Sequence, residues 1–291
     1  MSWRTVVIAG NAKLDYKMDY LIVRKTDKTT RVFIGEIGML IVESTSVSLT
    51  TMLLCELTKH KVKVVFCDEK HNPQSELLSY YGSHDTSAKV RTQIGWSKQE
   101  KELIWTEIVA EKIRQQRDHL LERGLDTQAA LLASYIPEIE IGDKTNREGH
   151  AAKVYFNALF GMDFTRSQEN ATNAALNYGY GILLACFNRE VVANGYITQL
   201  GLFHDNMFNQ FNFSSDLMEP FRILVDRIVV KMKPQKFDKD EKICFIYMLE
   251  DGVMIDGKNQ YVSNAIKIYC RSVFDALNDK DISMLKFYSV I

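Results

Sequence analysis

The stretch SKQEKELIWTEIVAEKIRQQRDHLLERG, residues 97–124, sets the character of the larger part of the chain. One set of its apolar side chains comprises Ile104, Trp105, Ile108, Val109 and Ile113. These recur at the three- and four-residue spacing that places side chains on one face of an α-helix. The stretch begins with serine, a preferred N-cap, and ends with glycine, which favours helix termination. It therefore predicts a long amphipathic helix to about residue 123.

Helical patterns continue after this stretch almost to the end of the chain. Apolar residues at helical spacing predict further helices at about residues 127–136, 146–160, 171–193, 217–232, 239–249 and 263–278. The glycines in NYGYGILL, residues 177–184, lie inside one of these patterns, so close helix packing explains them better than phosphate binding.

The chain before residue 67 has a different pattern. Short runs of β-branched and aromatic residues, separated by turn-forming residues, occur at residues 5–9, 20–23, 31–34, 39–42 and 62–66. Their spacing of roughly ten residues favours hairpins in a sandwich or curled sheet. One helix is predicted at 51–59, capped by Ser48 or Thr50, with Leu53, Leu54 and Leu57 on one stripe.

A polar tract containing residues 72–73 and 80–87 interrupts both patterns and indicates a connector. The predicted fold class is therefore α+β with two domains. Residues 1–85 form a small β-rich, sandwich-like domain plus linker, and residues 86–291 form a larger all-helical domain.

Composition limits the possible functions. The chain has 291 residues, is 46% hydrophobic, and carries 36 basic and 37 acidic side chains, so bulk charge does not indicate a polyanion binder. Five scattered cysteines without a CxxC pair exclude a zinc ribbon and predict buried thiols in a reducing compartment. Neither a secretory leader nor a membrane span is evident, so we expect a cytoplasmic protein without a membrane partner.

Two acidic segments are candidates for chemistry. In the first, Glu148 lies on the inward stripe of its predicted helix, although Thr145 and Glu148 also match a capping box. His150 points to a different side of that helix and is not expected to share a ligand with Glu148. His204, which precedes a loop rich in Asn and Phe, is a better partner.

The second segment is Ser214–Arg222. Pro220 fits only the first turn of a helix, so Asp216 and Glu219 are predicted near an N-terminus, where they could be caps. Glu219 and Arg222 share a face opposite the apolar stripe. That face is either a solvated set of ion pairs or a carboxylate ligand beside an arginine placed for phosphate.

Two carboxylates and one imidazole, from Glu148, Glu219 and His204, would suit Mg²⁺ or Mn²⁺. Spacing alone does not show that these residues meet, because 56 and 15 residues separate them along the chain. No P-loop, GxGxxG, GxSxG or HExxH motif offers another site.

At these residues the sequence resembles the CRISPR spacer-acquisition integrase, the catalytic subunit of the adaptation complex, in its type II branch. The matching words are NREGHAAKVYF (146–156), LNYGYGILL (176–184), GLFH (201–204) and SDLMEPFR (215–222), with weaker similarity at VFCD (65–68) and YGSHD (81–85). The resemblance implies that Glu148, His204 and Glu219 are catalytic metal ligands. Asp216 and Arg222 correspond to auxiliary positions.

The resemblance also implies a reaction. The 3′-hydroxyl of a foreign DNA fragment attacks a phosphodiester at the first CRISPR repeat, and a second attack follows on the opposite strand. The implied partners are double-stranded DNA (spacer precursor and repeat), a second copy bound through the β-rich domain, a small ferredoxin-like companion subunit and other type II CRISPR proteins. Two alternatives remain: a metal-dependent nuclease of branched DNA, and a non-catalytic DNA-binding scaffold.

Overall fold

The computed structural model describes residues 4–69, 71–79 and 83–291. The chain forms two compact units. One extends to Thr86 and includes Val192–Gly195, and the other consists of Ser87–Val191 and Tyr196–Ile291. Residues 80–82 of the predicted connector lie outside the described residues. Within the described ranges, no helix has the length and apolar character needed to cross a membrane.

The first unit is built from two mixed sheets and one helix. Its elements in the described residues are β1 (Arg4–Ile8), β2 (Ala12–Lys17), β3 (Tyr20–Arg24), β4 (Thr29–Phe33), β5 (Ile37–Val42), β6 (Val47–Leu49), α1 (Thr51–Lys59), β7 (Lys63–Cys67) and β8 (Pro73–Leu77). The strand orders are β1-β5-β7-β8 and β4-β3-β2-β6. Both sheets and α1 contribute side chains to one hydrophobic core.

The prediction of successive hairpins is only partly right. The β2–β3, β3–β4 and β7–β8 pairs are antiparallel, whereas β1–β5, β5–β7 and β2–β6 are parallel. Parallel neighbours need a crossover, and β6 and α1 supply one between β5 and β7. Apolar runs identify the strands but not their partners, so the sequence pattern missed this topology. Strand β8, inside the predicted connector, was also missed.

The second unit is mainly helical. Its helices in the described chain are α2 (Thr86–Gly95), α3 (Lys98–Glu122), α4 (Asp126–Tyr135), α5 (Arg147–Phe160), α6 (Ala171–Ala193), α7 (Asn212–Leu217), α8 (Arg222–Met232), α9 (Lys239–Tyr247) and α10 (Val262–Asp279). Ser97 caps α3 through a reciprocal bond pattern with Glu100, as a capping box requires. The apolar stripe predicted for α3 is buried.

The prediction that this region is all-helical is wrong. Strands β9 (Gly252–Ile255), β10 (Lys258–Tyr261) and β11 (Tyr288–Val290) form an antiparallel sheet in the order β10-β9-β11. The β9–β10 hairpin turns at Asp256 and Gly257, whose φ angles are 53° and 69°. Asp-Gly favours this left-handed pair of residues, which matches the twist of a tight hairpin.

The predicted single helix over 217–232 is also wrong. Helix α7 ends at Leu217, a 3₁₀ turn covers Glu219–Phe221, and α8 begins at Arg222. Pro220 has no N–H to donate and its ring opposes a continuous helix, so the chain breaks there. Asp216 consequently lies near the end of α7 rather than at a helix N-terminus.

Close helix packing at Gly179 is confirmed. A Cβ atom there would lie 2.5 Å from Val225 Cγ1 and 2.7 Å from Phe245 Cδ1. The cysteine prediction is partly wrong: none of the five described cysteines forms a disulfide and three are buried, but Cys55 and Cys244 are exposed.

Candidate active site

The second unit contains a cavity of about 230 Å³ lined by residues of α3, α5, α6 and α8, of the 3₁₀ turn Glu219–Phe221 and of the loops that follow α5 and α6. Its lining residues are Lys112, Gln116, Glu148, Ala152, Phe156, Arg166, Tyr180, His204, Glu219, Arg222 and Asp226. The structure thus brings Glu148, His204 and Glu219 to one cavity, together with Arg222. Asp216 lies behind it, and His150 is exposed elsewhere.

Glu148 is the second residue of α5 and does not cap that helix. The N-cap is Asn146, whose side chain accepts a bond from Gly149 N at 3.2 Å. Asp143 accepts bonds from Arg147 N at 2.7 Å and Glu148 N at 3.0 Å. These two side chains satisfy the helix N-terminus, so the capping box proposed with Thr145 does not form. The Glu148 carboxylate is directed to the cavity instead.

Glu219 begins the 3₁₀ turn and is 4% exposed. Arg222, three residues later, donates from Nε to Glu219 Oε1 at 2.8 Å. A solvated row of ion pairs is therefore excluded, because a surface pair would not bury its carboxylate. Burial opposes ionisation of Glu219, but the charges of Arg222 and Lys112 outweigh it and lower its pKa to about 2. Glu219 is an anion at neutral pH.

Lys112 joins the two glutamates, and sequence reasoning missed it. Its ammonium donates to Glu148 Oε1 and to Glu219 Oε2, and the residue is 5% exposed. Burial opposes the charge of Lys112, but the two carboxylates outweigh it and raise its pKa. A sequence signal existed: Lys112 follows Ile108 by four residues and therefore falls on the apolar stripe of α3.

His204 is held by Asp216, which is fully buried. Asp216 accepts backbone bonds from Leu202 N at 2.6 Å, Phe203 N at 3.0 Å and His204 N at 3.2 Å, and a further bond from His204 Nδ1. The bond to Asp216 is the main cause of a raised His204 pKa. With Nδ1–H given to a carboxylate, Nε2 is the nitrogen that remains for a ligand.

Gly201 makes this arrangement possible. A Cβ atom at this position would lie 2.7 Å from Asp216 Oδ2 and would collide with the carbonyl oxygen of His204. Only glycine lets the backbone of residues 201–204 close around the carboxylate. The fixed imidazole therefore depends on a residue that carries no chemistry of its own.

The model of the family described as CRISPR associated protein Cas1 matches residues 5–254, most of the chain. The chain belongs to the Cas1 family. A CRISPR-associated endonuclease Cas1 from Neisseria meningitidis serogroup C (strain 8013) is 32% identical over 296 residues, covering 100% of this chain and 97% of the relative. A second, from Francisella tularensis subsp. novicida (strain U112), is 24% identical over 272 residues and covers 85% of each chain.

Solved structures show the same Cas1 fold. A Cas1 protein from Thermotoga maritima superimposes with a TM-score of 0.78 at 15% identity, covering 94% of this chain and 97% of that one. A casposase bound to integration product gives 0.75 at 18% identity, covering 96% and 91%. A chain of a Cas6-RT-Cas1–Cas2 complex gives 0.76 at 18% identity, and this Cas1-family chain matches 36% of its length.

The Cas1-family cavity has a third acidic group, Asp226. Asp226 is 1% exposed and accepts a hydrogen bond from Tyr180. Burial raises its pKa to about 6, although the Tyr180 bond and neighbouring cations oppose that shift. The guanidinium carbons of Arg222 and Arg166 lie 4.7 and 5.3 Å from the Tyr180 ring centroid. Two cations thus flank this wall of the cavity.

The donor groups of the cavity fit a hard divalent cation. Two carboxylates and an imidazole whose other nitrogen is anchored by a carboxylate form the ligand chemistry that Mg²⁺ or Mn²⁺ accepts. Among the described residues, no three His, Cys, Asp or Glu side chains are close enough to hold an ion as they stand. Lys112 instead neutralises Glu148 and Glu219. Their role as ligands stays a prediction.

Proposed function

We propose that this chain is the integrase of a CRISPR adaptation complex of the type II branch. It joins the 3′ ends of a foreign DNA fragment to the first repeat of a CRISPR array. The observation that carries this proposal is the presence of Glu148, His204 and Glu219 around one cavity, beside Arg222 and Arg166. Family membership and the relatives named as CRISPR-associated endonucleases support it.

The reaction is a transesterification. The 3′-hydroxyl of the fragment loses its proton and its oxygen forms a bond to the target phosphorus. The bond from phosphorus to the target's own 3′-oxygen breaks, and this leaving oxygen takes up a proton. The number of phosphodiester bonds is unchanged, so no external energy source is needed. A bound Mg²⁺ or Mn²⁺ would lower the pKa of the attacking hydroxyl and offset charge on the phosphoryl oxygens. Glu148, Glu219 and Nε2 of His204 would hold it.

Other residues of the cavity handle phosphate charge. Arg222 uses Nε for Glu219, and a guanidinium has further N–H donors in a planar fork that suits phosphate oxygens. Arg166 lies over the same Tyr180 ring as Arg222. The two arginines would stabilise the additional negative charge that develops in the transition state.

Insertion at two strands requires two copies of the site. The proposed assembly is a homodimer formed through the β-rich unit, two such dimers bridged by a small ferredoxin-like companion, and cooperation with other type II CRISPR proteins in the cytoplasm. Neighbouring structures described as Cas1–Cas2 complexes support such a companion. Light scattering that shows only monomer, with and without the companion, would contradict this assembly.

The test is a strand-transfer assay with purified protein, companion subunit, a labelled DNA fragment and a plasmid that carries an array. Glu148→Gln and Glu219→Gln keep side-chain size but weaken metal ligation, so both should abolish transfer while fragment binding is largely retained. Glu169→Ala, at an exposed glutamate of the same unit, is the matched control and should remain active. Full transfer by both glutamine variants would favour a DNA-binding scaffold.

The relatives' description as endonucleases also favours a second function, metal-dependent hydrolysis of branched DNA. A fragment with a blocked 3′ end separates the two functions, because transfer needs the 3′-hydroxyl and hydrolysis of a branch does not. Cleavage of branched DNA without any transfer of unblocked fragments would identify the protein as a nuclease.

A further inference from the structure

Phe203, directly before His204, has an aromatic ring supported on one side only. Its ring is stacked on Trp105 with a centroid distance of 4.7 Å and an interplanar angle of 3°. Trp105 is 1% exposed, whereas Phe203 is 50% exposed. Since one ring is buried and its parallel partner is half open, the outer side of Phe203 is available for another flat group.

The position of this ring is fixed by the same contacts that fix the candidate ligand. Asp216 accepts a bond from Phe203 N at 3.0 Å as well as bonds from His204. The Phe203 and His204 rings meet edge to face, with centroids 5.6 Å apart. The backbone of Phe203 and the imidazole of His204 are therefore held by the same carboxylate.

The loop that follows is also apolar at its surface. Met207 is 87% exposed and Phe208 is 86% exposed. The loop backbone is tied by hydrogen bonds from Asn206 N to Asn212 Oδ1 at 3.3 Å and from Asn212 Nδ2 to Asn206 O at 3.1 Å. These side chains are thus presented to solvent on a hydrogen-bonded frame.

We infer that Phe203 is a stacking platform for the terminal nucleobase of the attacking DNA 3′ end. This inference rests on the proposed function. A base between two neighbours in a strand already has both faces covered, whereas the terminal base has one face free to stack. Aromatic side chains bind such faces with little dependence on base identity. Stacking on Phe203 would place the 3′-hydroxyl beside His204.

The test compares two fragments that differ only in the terminal 3′ nucleotide, which is either intact or abasic. Affinities are measured by fluorescence anisotropy with EDTA present, so that transfer does not consume the fragment. The parent protein should bind the abasic fragment at least about fivefold more weakly, given the usual strength of base stacking. Phe203→Leu should bind both fragments equally, because it keeps an apolar contact with Trp105 but lacks a ring.

Phe203→Tyr keeps the ring and should discriminate as the parent does, which separates stacking from a packing defect. Met162→Ala, at a position 80% exposed in the same unit, is the control for loss of an exposed apolar side chain and should also behave as the parent. Two results of this comparison would each overturn the inference: no discrimination by the parent, or unchanged discrimination by Phe203→Leu.

Strand transfer of the intact fragment is recorded in parallel. If the parent transfers the intact fragment but binds both fragments equally, the stacking inference is wrong and the proposed integrase function is retained. If the parent binds the intact fragment more tightly than the abasic one but does not transfer it, the integrase function is wrong. The inference then also fails, because the bound 3′ end would not be an attacking one. Phe203→Leu could instead assemble more weakly with the companion while it still distinguishes the two fragments as the parent does. That result would assign the Phe203 ring to a protein contact and overturn the inference.

Discussion

Lys112→Met provides the sharpest test of the site's electrostatics. Methionine has a similar shape but removes the ammonium that neutralises Glu148 and Glu219. Removing one partner of a buried ion pair costs about 3–5 kcal/mol, because a charge is left buried without compensation. We expect the lower end, about 3 kcal/mol by the same rule, since Arg222 still pairs with Glu219. For a chain of this size that corresponds to roughly 6 °C in melting temperature.

A divalent cation should reverse this loss. In the parent protein the ion must displace the ammonium from both carboxylates, whereas in Lys112→Met only the contact of Arg222 with Glu219 competes with it. Mn²⁺ should therefore raise the melting temperature of the variant by more than that of the parent, and calorimetric titration should show tighter binding. The gain in Mn²⁺ affinity has an upper limit of about 100-fold, which corresponds to the free energy of unfolding lost in the variant.

Lys63→Met is the matched control. Lys63 is 4% exposed and its Nζ lies 2.5 Å from Glu76 Oε1, but it belongs to the first unit. It should lose stability in the same manner and gain nothing specific from Mn²⁺. Equal Mn²⁺ stabilisation of all three proteins, or weaker Mn²⁺ binding by Lys112→Met, would refute the view that Lys112 and the metal compete for the glutamates.

Two further predictions concern residues around the cavity. Gly201→Ala should lower the free energy of unfolding by about 1–3 kcal/mol in chemical denaturation and abolish strand transfer, because the added Cβ atom would press on Asp216. Gly95→Ala is the control. No atom was found within 4 Å of a Cβ atom added there, so its stability should be close to that of the parent. Asp226→Asn should become more stable relative to the parent as pH rises from about 4 to 7. The raised pKa of Asp226, about 6, means that the folded parent binds a proton more readily than the unfolded chain in this range and loses stability as that proton leaves. A pH-independent difference in unfolding free energy between variant and parent would contradict this assignment.

Local sequence signals predicted most helices of the second unit to within a few residues. The stripe of α3 and its Ser97 cap depend on neighbours three or four positions apart, so the chain carries that information locally. The same kind of signal was present but overlooked at Asp256-Gly257, where a hairpin turns inside the predicted helical region. The break at Pro220 was anticipated as a helix start, but the separate helix before it was not.

These local signals could not predict contacts between residues that lie far apart in the sequence. The parallel β1–β5–β7 arrangement joins strands whose apolar runs look alike, and register follows from the packed core rather than from any one strand. Asp216 was predicted as an auxiliary acid near a helix start. Its actual contacts with three backbone N–H groups and His204 depend on the path of a loop about twelve residues earlier.

The sequence by itself determined the residue types of the site, the inward direction of Glu148, the exclusion of other common catalytic motifs and the resemblance that the family match supports. Only the tertiary structure decided that Glu148, His204 and Glu219 face one cavity, and that Lys112 lies between the two glutamates. Periodicity fixes the face of a helix on which a side chain lies, because that depends on local backbone geometry. Which faces meet, and which charges neutralise one another there, depends on packing between segments more than 100 residues apart, as for Lys112 and Glu219.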